Sequence, residues 1–383
     1  MKNKSIALAS LGLAAIAATL ATTAWAVPRP VTSIEAPTST QTSPLMAIPA
    51  DRDRAAVTRT VDSLFTGEDM GETRALLVLQ DGEPIIERYA PGFGPDSKLI
   101  SWSMAKTVTA ILTGMMVADG KLSLDSPAPI PAWQRPGDPR GAITLRHLLH
   151  MSSGIQHVEE GNPVYDSDTV RMLFLGGSGD MAAYAEAQPL AAEPDEVYNY
   201  SSATSVIIAD ILARALTPSR DPTARRDAML RYIRGRLTEP AGIASLTPEF
   251  DAAGTMIGGS IMHATARDYA KIGELLRHDG FAGADGKGQR LLPHSWIAFM
   301  QASSPTDAGY GGHLWLNKRR PPGSGEALWP GEGPSDIFAM LGHQGQYVVV
   351  SPSRRLTIVR LGISTKDEIP QVRHALRDLS NAL

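Results

Sequence analysis

Stretches with the composition of β-strands stand only near the two ends of this chain, and what lies between them is patterned for helices. At the front, Ala75-Leu76-Leu77-Val78-Leu79 and Ile85-Ile86-Glu87-Arg88-Tyr89 flank Asp81-Gly82, and Asp-Gly between two apolar runs is a strong hairpin signal. At the back, His313 to Leu316, Ile337 to Leu341, Tyr347 to Val350 and Leu356 to Leu361 read as strands, with Ser351-Pro352-Ser353-Arg354 as a turn. From about Lys121 to Ser303 the apolar residues recur at helical spacing: Leu145 to Met151, Val206 to Leu212, Met229 to Leu237, and Ala266 to Leu276 behind a Thr265 cap. A helix opened by Asp51, with Val57, Val61, Leu64 and Phe65 on one side, precedes the first strand, and another runs from about Glu368 to the end. This order predicts an α+β fold with an antiparallel sheet of about five strands, made from both ends of the chain and flanked by the terminal helices. The helical block becomes an inserted lobe. We expect one domain over residues 51–383, with an α/β lobe at 51–120 and 304–383 and a helical lobe at 121–303.

The stretch Ser101-Trp102-Ser103-Met104-Ala105-Lys106-Thr107 falls where the lobes join, which is where a cleft is expected. Ser103 and Lys106 stand three apart at the start of a predicted helix and share its face. A serine hydroxyl is a poor nucleophile until a nearby base takes its proton. A lysine is such a base only when neutral, and burial favours the neutral amine. Met104, Val108, Ile111, Leu112 and Met115 give this helix the apolar face that buries it, and Gly120 marks its stop. The chain contains no cysteine, so a thiol nucleophile, a thiolate-bound metal and a disulfide framework are excluded.

Two further segments suit a serine acyl-transfer site. Tyr198-Asn199-Tyr200-Ser201-Ser202 precedes the Val206 helix, and a tyrosine beside a lysine ammonium is expected to have a lowered pKa and to move protons. Gly342-His343-Gln344-Gly345-Gln346 leads into an apolar strand, where glycine marks close approach of backbone to a ligand and the N–H of Gln346 is set to face a substrate oxygen. A long polar loop from Glu159 to Asp168 carries Tyr165, which we expect beside the cleft. His147 and His150 lack an evident third ligand, so they are read as surface or packing residues and no metal is expected.

Net charge is −4, and the longest basic run is Lys318-Arg319-Arg320. Nothing points to nucleic acid. Residues 1–26 have the three parts of a secretory signal: Lys2 and Lys4, an apolar run from Ile6 to Leu20, and Ala24-Trp25-Ala26 as the cleavage site. Cleavage after Ala26 leaves 34 basic and 40 acidic residues and no stable membrane insertion, whereas an uncleaved segment would remain as an anchor. Residues 27–50 hold Pro28, Pro30, Pro37, Pro44 and Pro49 among Ser and Thr and read as a flexible linker. A periplasmic or secreted bacterial protein is expected.

Taken in order, Ser103-x-x-Lys106, Tyr200-Ser201-Ser202 and His343-Gln344-Gly345 resemble the three motifs of the class C β-lactamase-related serine hydrolases. Thr144 to Leu149 with Ser152-Ser153-Gly154, Gly258-Gly259 and Thr265-Ala266-Arg267-Asp268 extend the resemblance, which spans about Asp51 to Leu383. It implies a β-lactamase/transpeptidase-like fold. It also implies Ser103 as acylated nucleophile, Lys106 and Tyr200 as general base and acid, and the backbone N–H groups of Ser103 and Gln346 as oxyanion hole. Ser202, His343, Gly345 and Tyr165 would contact a small ester, amide or peptide-like substrate. No cofactor is implied.

The sequence departs from efficient β-lactamases at two places. His343 stands where those enzymes have lysine, so no permanent cation faces a β-lactam carboxylate. Ser202 stands where they have asparagine. Both changes resemble the esterase, D-aminopeptidase and 6-aminohexanoate-dimer hydrolase branches, which points to ester or amide hydrolysis. The competing expectations are a penicillin-binding-like protein that is acylated with little turnover, and an extracytoplasmic scaffold without activity.

Overall fold

A computed structural model describes residues 44–383. The expected signal segment and most of the expected linker lie outside the described residues. The strands are β1 (Leu45–Met46), β2 (Glu72–Gln80), β3 (Glu83–Tyr89), β4 (Leu99–Ile100), β5 (Thr247–Pro248), β6 (Met262–Ala264), β7 (Trp315–Leu316), β8 (Phe338–Gly342), β9 (Gln346–Ser351) and β10 (Leu356–Ile363). The helices are α1 (Arg54–Thr66), α2 (Ala105–Ala118), α3 (Leu145–Leu149), α4 (Asp168–Phe174), α5 (Met181–Glu186), α6 (Ser202–Leu216), α7 (Pro222–Ile233), α8 (Ala266–Arg277), α9 (His294–Gln301) and α10 (Ile369–Ala382).

Both ends of the chain do meet in one antiparallel sheet, in the order β1-β3-β2-β10-β9-β8-β7. Its centre is the pairing of β2 with β10, which sets Val78 opposite Ile358. Alternation along these strands builds two cores. Leu76, Val78, Val349 and Ile358 pack with Val57, Val61, Leu376 and Leu379 of α1 and α10. Leu77, Val348, Val350 and Val359 pack on the opposite side with α2, α6 and α8. The hairpin turn at Asp81-Gly82 takes positive φ at both residues, 54° and 83°, the conformation that the Asp-Gly pair favours.

Seven strands replace the expected five, because short edge strands β1 and β7 extend the sheet at its two sides. Leu45 and Met46, inside the segment expected as linker, pair with Glu87 and Ile86, and Ile48 is buried. A second small sheet, β4-β6-β5, joins the residues just before Ser103 to the stretch just before α8. One helix of the stretch expected as the helical lobe lies against the sheet. Helix α8 packs on β2, β9 and β10, because its strongly one-sided apolar face, with Tyr269, Ile272 and Leu276 buried, has the sheet to cover.

Helix α2 is buried on every side from Ala105 to Met116, beyond the single apolar face that the pattern predicts. A helix so enclosed keeps polar groups only where they are paired. Thr107 donates to the carbonyl of His313, and Thr109 to that of Gly258. Gly114 admits the Trp296 ring, which a Cβ there would meet at 2.2 Å. The helix ends at Ala118, and Gly120 follows with φ 68°. Among the described residues, no helix is long and apolar enough to cross a membrane.

Candidate active site

Ser103 lies in a 3₁₀ turn, Trp102–Met104, that runs into α2. The turn is anchored at its base. Ser101 donates its N–H to the carbonyl of Met262, and its hydroxyl accepts from the Met262 N–H. Trp102 takes φ 44°, an unfavourable conformation for a bulky residue. The strain sits one residue before the serine. The turn and the first turn of α2 together place the Ser103 hydroxyl 3.0 Å from Lys106 Nζ.

Lys106 is buried and has two more acceptors, Ser202 Oγ at 2.9 Å and the Gly259 carbonyl at 2.8 Å. Burial pulls its pKa down to about 8, against the opposing pull of the Glu159 carboxylate. An amine with that pKa is partly neutral near physiological pH. The carboxylate of Glu159 lies 3.9 Å away. Burial pushes Glu159 up, but the Lys106 ammonium and hydrogen bonds from His157 and Ser202 win and hold it at about 2.

Ser201 caps α6 by accepting from the Thr204 N–H, which leaves Tyr200 just outside the helix and Ser202 as its first residue. The Tyr200 hydroxyl bonds Ser103, and its ring lies under Lys106 Nζ at 4.6 Å. The expected lowering of the tyrosine pKa does not occur. Burial and the negative charge of Glu159 raise it well above its ordinary value, despite the bond to Ser103. The physical reason is burial first and the Glu159 carboxylate second, while the lysine meets only the ring face. Tyr200 is therefore a protonated hydroxyl in the resting site.

These groups open into a cavity of about 850 Å³, with Trp102, Ser103, Glu159, Tyr200, Ser202 and His343 on its wall. His343 meets the Trp102 ring edge-on at 5.4 Å. Four predicted site residues are not on that wall: Lys106, buried behind Ser103, and Gln346, Gly345 and Tyr165. Gln346 faces Gly342 across the β8–β9 hairpin, and its buried side chain accepts from the Gly362 N–H and donates to the Gly362 carbonyl. Gly345 turns its carbonyl to the buried Arg360 guanidinium at 2.8 Å. Tyr165 is 60% exposed, on a short turn whose carbonyl is held by Arg171. The cavity is instead closed by Leu341, Gly342 and His343 at the end of β8. A Cβ on Gly342 would meet the Ser101 carbonyl at 2.3 Å, so this backbone abuts the nucleophile turn.

Glu159 is the residue that sequence reading missed: it appeared only as the start of a polar loop. It accepts from His157 and Thr169 within its own loop region, but the contact that joins it to the site, with Ser202, spans 43 residues. His147 completes a capping box with Thr144, and His150 stacks on Phe299 at 4.8 Å. Among the described residues, no group of acidic and histidine side chains is arranged to hold a metal.

The family model described as Beta-lactamase matches residues 68–380. The chain is 25% identical to a 6-aminohexanoate-dimer hydrolase of Paenarthrobacter ureafaciens, over 81% of this chain and 79% of that protein. Its fold is similar to that of a penicillin-binding protein homolog from Caulobacter crescentus, with TM-score 0.62, 18% identity and coverage of 89% and 100% of the two chains. It is also similar to that of a family VIII carboxylesterase, with TM-score 0.59, 15% identity and coverage of 88% and 100%.

Proposed function

This chain belongs to the β-lactamase family, and from that premise we propose that it is an exported serine hydrolase that cleaves esters or amides through an acyl-enzyme on Ser103. The observation that carries the reading is the 3.0 Å contact between the Ser103 hydroxyl and a buried lysine whose pKa is down to about 8. In the neutral fraction, Lys106 takes the Ser103 proton as Oγ attacks the substrate carbonyl carbon. Tyr200, protonated at rest, gives its proton to the departing alcohol or amine and recovers one from Lys106. Water then attacks the acyl carbon, and the same groups return the proton to Ser103. The Ser103 N–H is one oxyanion donor, and the second is assigned to the β8 end at Leu341–His343, which replaces the role first given to Gln346.

The cavity wall supports a substrate without a fixed negative charge. Arg320 is engaged by Asp307 at 2.7 Å, and Lys366 pairs with Glu160. Arg320 is thereby held by a buried partner, whereas the Lys366 pair is exposed and weak. Trp102, Val164, Leu173, Phe174 and Trp315 supply apolar surface for the acyl or leaving group. The proposal of export is supported by the signal-like composition of residues 1–26, and a periplasmic or secreted bacterial enzyme is what it implies.

The test is steady-state turnover and intact mass with p-nitrophenyl acetate, p-nitrophenyl butyrate, a linear aminohexanoate amide and nitrocefin, alongside Ser103→Ala. Ester or amide turnover that disappears in Ser103→Ala, with little nitrocefin cleavage, is expected. A stable adduct on Ser103 without turnover would replace this reading with that of a penicillin-binding-like protein. Equal rates in both proteins would remove the mechanism.

A further inference from the structure

Resting on the acyl-transfer reading above, we propose that Glu159 is the positioning residue of Lys106, and that it acts through the hydroxyl of Ser202 to aim the lysine lone pair at the nucleophile. The inference follows from counting protons and lone pairs along one chain of contacts, Ser103 to Lys106 to Ser202 to Glu159.

Glu159 is an acceptor at both oxygens. Oε2 receives the Ser202 N–H at 2.7 Å, the Thr169 hydroxyl at 2.8 Å and His157 Nε2 at 2.8 Å. Oε1 receives the Ser202 hydroxyl at 2.6 Å. Four donors fix the carboxylate, and its low pKa keeps it ionised through neutral pH. A serine hydroxyl has one hydrogen. Because that hydrogen is given to Glu159, Ser202 Oγ has only lone pairs to offer Lys106 at 2.9 Å and the Ser260 hydroxyl at 3.4 Å. Lys106 must therefore donate to Ser202. It must also donate to the Gly259 carbonyl, which cannot do otherwise.

A neutral amine has two N–H bonds and one lone pair. Both N–H bonds are committed, to Ser202 and to Gly259. The lone pair is left for the third neighbour, Ser103 Oγ at 3.0 Å. This is the orientation in which the amine accepts the serine proton. Without a carboxylate at position 159, the Ser202 hydroxyl can rotate and donate to the lysine, which places it in competition with Ser103 for the same lone pair. Lysine geometry at this site is thus dictated from the far side of Ser202.

Glu159 also acts as a charge at 3.9 Å and holds the ammonium against the effect of burial. The other titratable groups facing Lys106 are Tyr200 beneath it and the buried, neutral His313; His157 stands behind Glu159, and His343 lies farther along the wall beside Trp102. Among these, Glu159 is the negative one. Its removal has two separable effects: loss of orientation lowers the rate, and loss of charge lets Lys106 lose its proton at lower pH.

The experiment compares wild type, Glu159→Gln and Ser202→Ala on the ester that wild type turns over, recording kcat and KM from pH 5 to 10 and thermal unfolding for each. Glutamine keeps the volume but must set its NH₂ against donors. For Glu159→Gln we expect kcat to fall by about 100-fold with KM little changed, as for a misaimed catalytic group, and the acid limb of the profile to move down by about one pH unit. Ser202→Ala should lower kcat alike, and the double variant should be no worse than either single one, since both cut the same chain. A purely structural role for Glu159 would lower the unfolding temperature and leave the acid limb in place, and that result overturns the inference. So does wild-type kcat in Glu159→Gln. If Glu159→Gln does not fold, Ser202→Ala decides, with unchanged kcat as the refuting result. Ser103→Ala keeps the two proposals apart: turnover that survives it removes the acyl-enzyme reading itself, whereas turnover that needs Ser103 but ignores Glu159 removes only this one.

Discussion

Lowering the pH from about 7.5 to about 4.5 should cost the folded state about 3 kcal/mol at His313 alone. His313 is buried, and its ring joins two elements by hydrogen bonds: Nδ1 lies 2.9 Å from the Leu149 carbonyl at the end of α3, and Nε2 lies 2.9 Å from the Ser205 hydroxyl of α6. The carbonyl can only accept, so Nδ1 carries the proton and Nε2 accepts from Ser205. A second proton on Nε2 would turn that bond around and place a cation in the core. Burial first, and the Lys106 ammonium second, push the pKa down to about 3. In the unfolded chain a histidine titrates near 6.5, so the unfolded state binds more protons between about pH 6.5 and about pH 3. Stability from this group is fully present above the unfolded value and falls with pH through that window, by about 1.4 kcal/mol per unit. Two units below 6.5 give the figure of about 3 kcal/mol. The assay is urea unfolding at both pH values for wild type and His313→Asn. Asparagine tolerates the φ of 59° found here and does not titrate. The variant should be less stable than wild type at pH 7.5, with a smaller difference at pH 4.5. Parallel loss of stability in the two proteins, as the remaining carboxylates and histidines titrate, would refute the assignment of this pH dependence to His313.

Gly342→Ala should cost about 1–3 kcal/mol of stability and at least tenfold in kcat/KM, because its Cβ would press on the Ser101 carbonyl beneath the nucleophile turn; wild-type kinetics would show that this contact relaxes freely. Arg360→Met should cost about 3 kcal/mol by orphaning buried acceptors, among them the Gly345 carbonyl and the Thr73 hydroxyl. Arg360→Lys should recover little of that loss, since the planar fork and not the charge alone fits these partners; a lysine variant with wild-type urea midpoint would contradict it.

What the sequence made legible was local chemistry. The Asp81-Gly82 turn, the Thr265 cap and the Ser103–Lys106 spacing each depend on residues within one turn of each other, and each is present. The joining of both chain ends into one sheet was legible too, because separated apolar strands have few other ways to bury themselves. The direction of the Tyr200 pKa was not legible for a specific reason: the lysine is visible in the motif, whereas the burial that raises the pKa most is a tertiary property and the carboxylate that adds to it lies in a loop between α3 and α4. Glu159 reaches Ser202 across 43 residues of chain, and no local pattern announces such a bond. Gln346 is a different case: it is buried and off the cavity wall. The glycines around it did mark a close approach, but the approaching backbone belongs to Ser101, and it meets Gly342 rather than the far side of the hairpin.

Glycine in a sequence announces that something comes near without saying what. At Gly259 the Ser202 carbonyl stands 2.5 Å from where a Cβ would be, and at Gly342 the Ser101 carbonyl stands at 2.3 Å. The two positions lie on opposite sides of the same constellation: one lets the backbone carbonyl of residue 259 reach Lys106, and the other lets β8 close on the turn that carries Ser103. A side chain at either place would press on the backbone of Ser202 or Ser101, although neither glycine supplies a functional group. Ser202 follows the same logic. A hydroxyl there is too short to fix the lysine by its own conformation, since it can both donate and accept. It becomes directional only because Glu159 takes its hydrogen. The departure from asparagine at position 202 and the carboxylate at position 159 therefore form one arrangement, and a substitution at either residue has to be judged by what it does to the other.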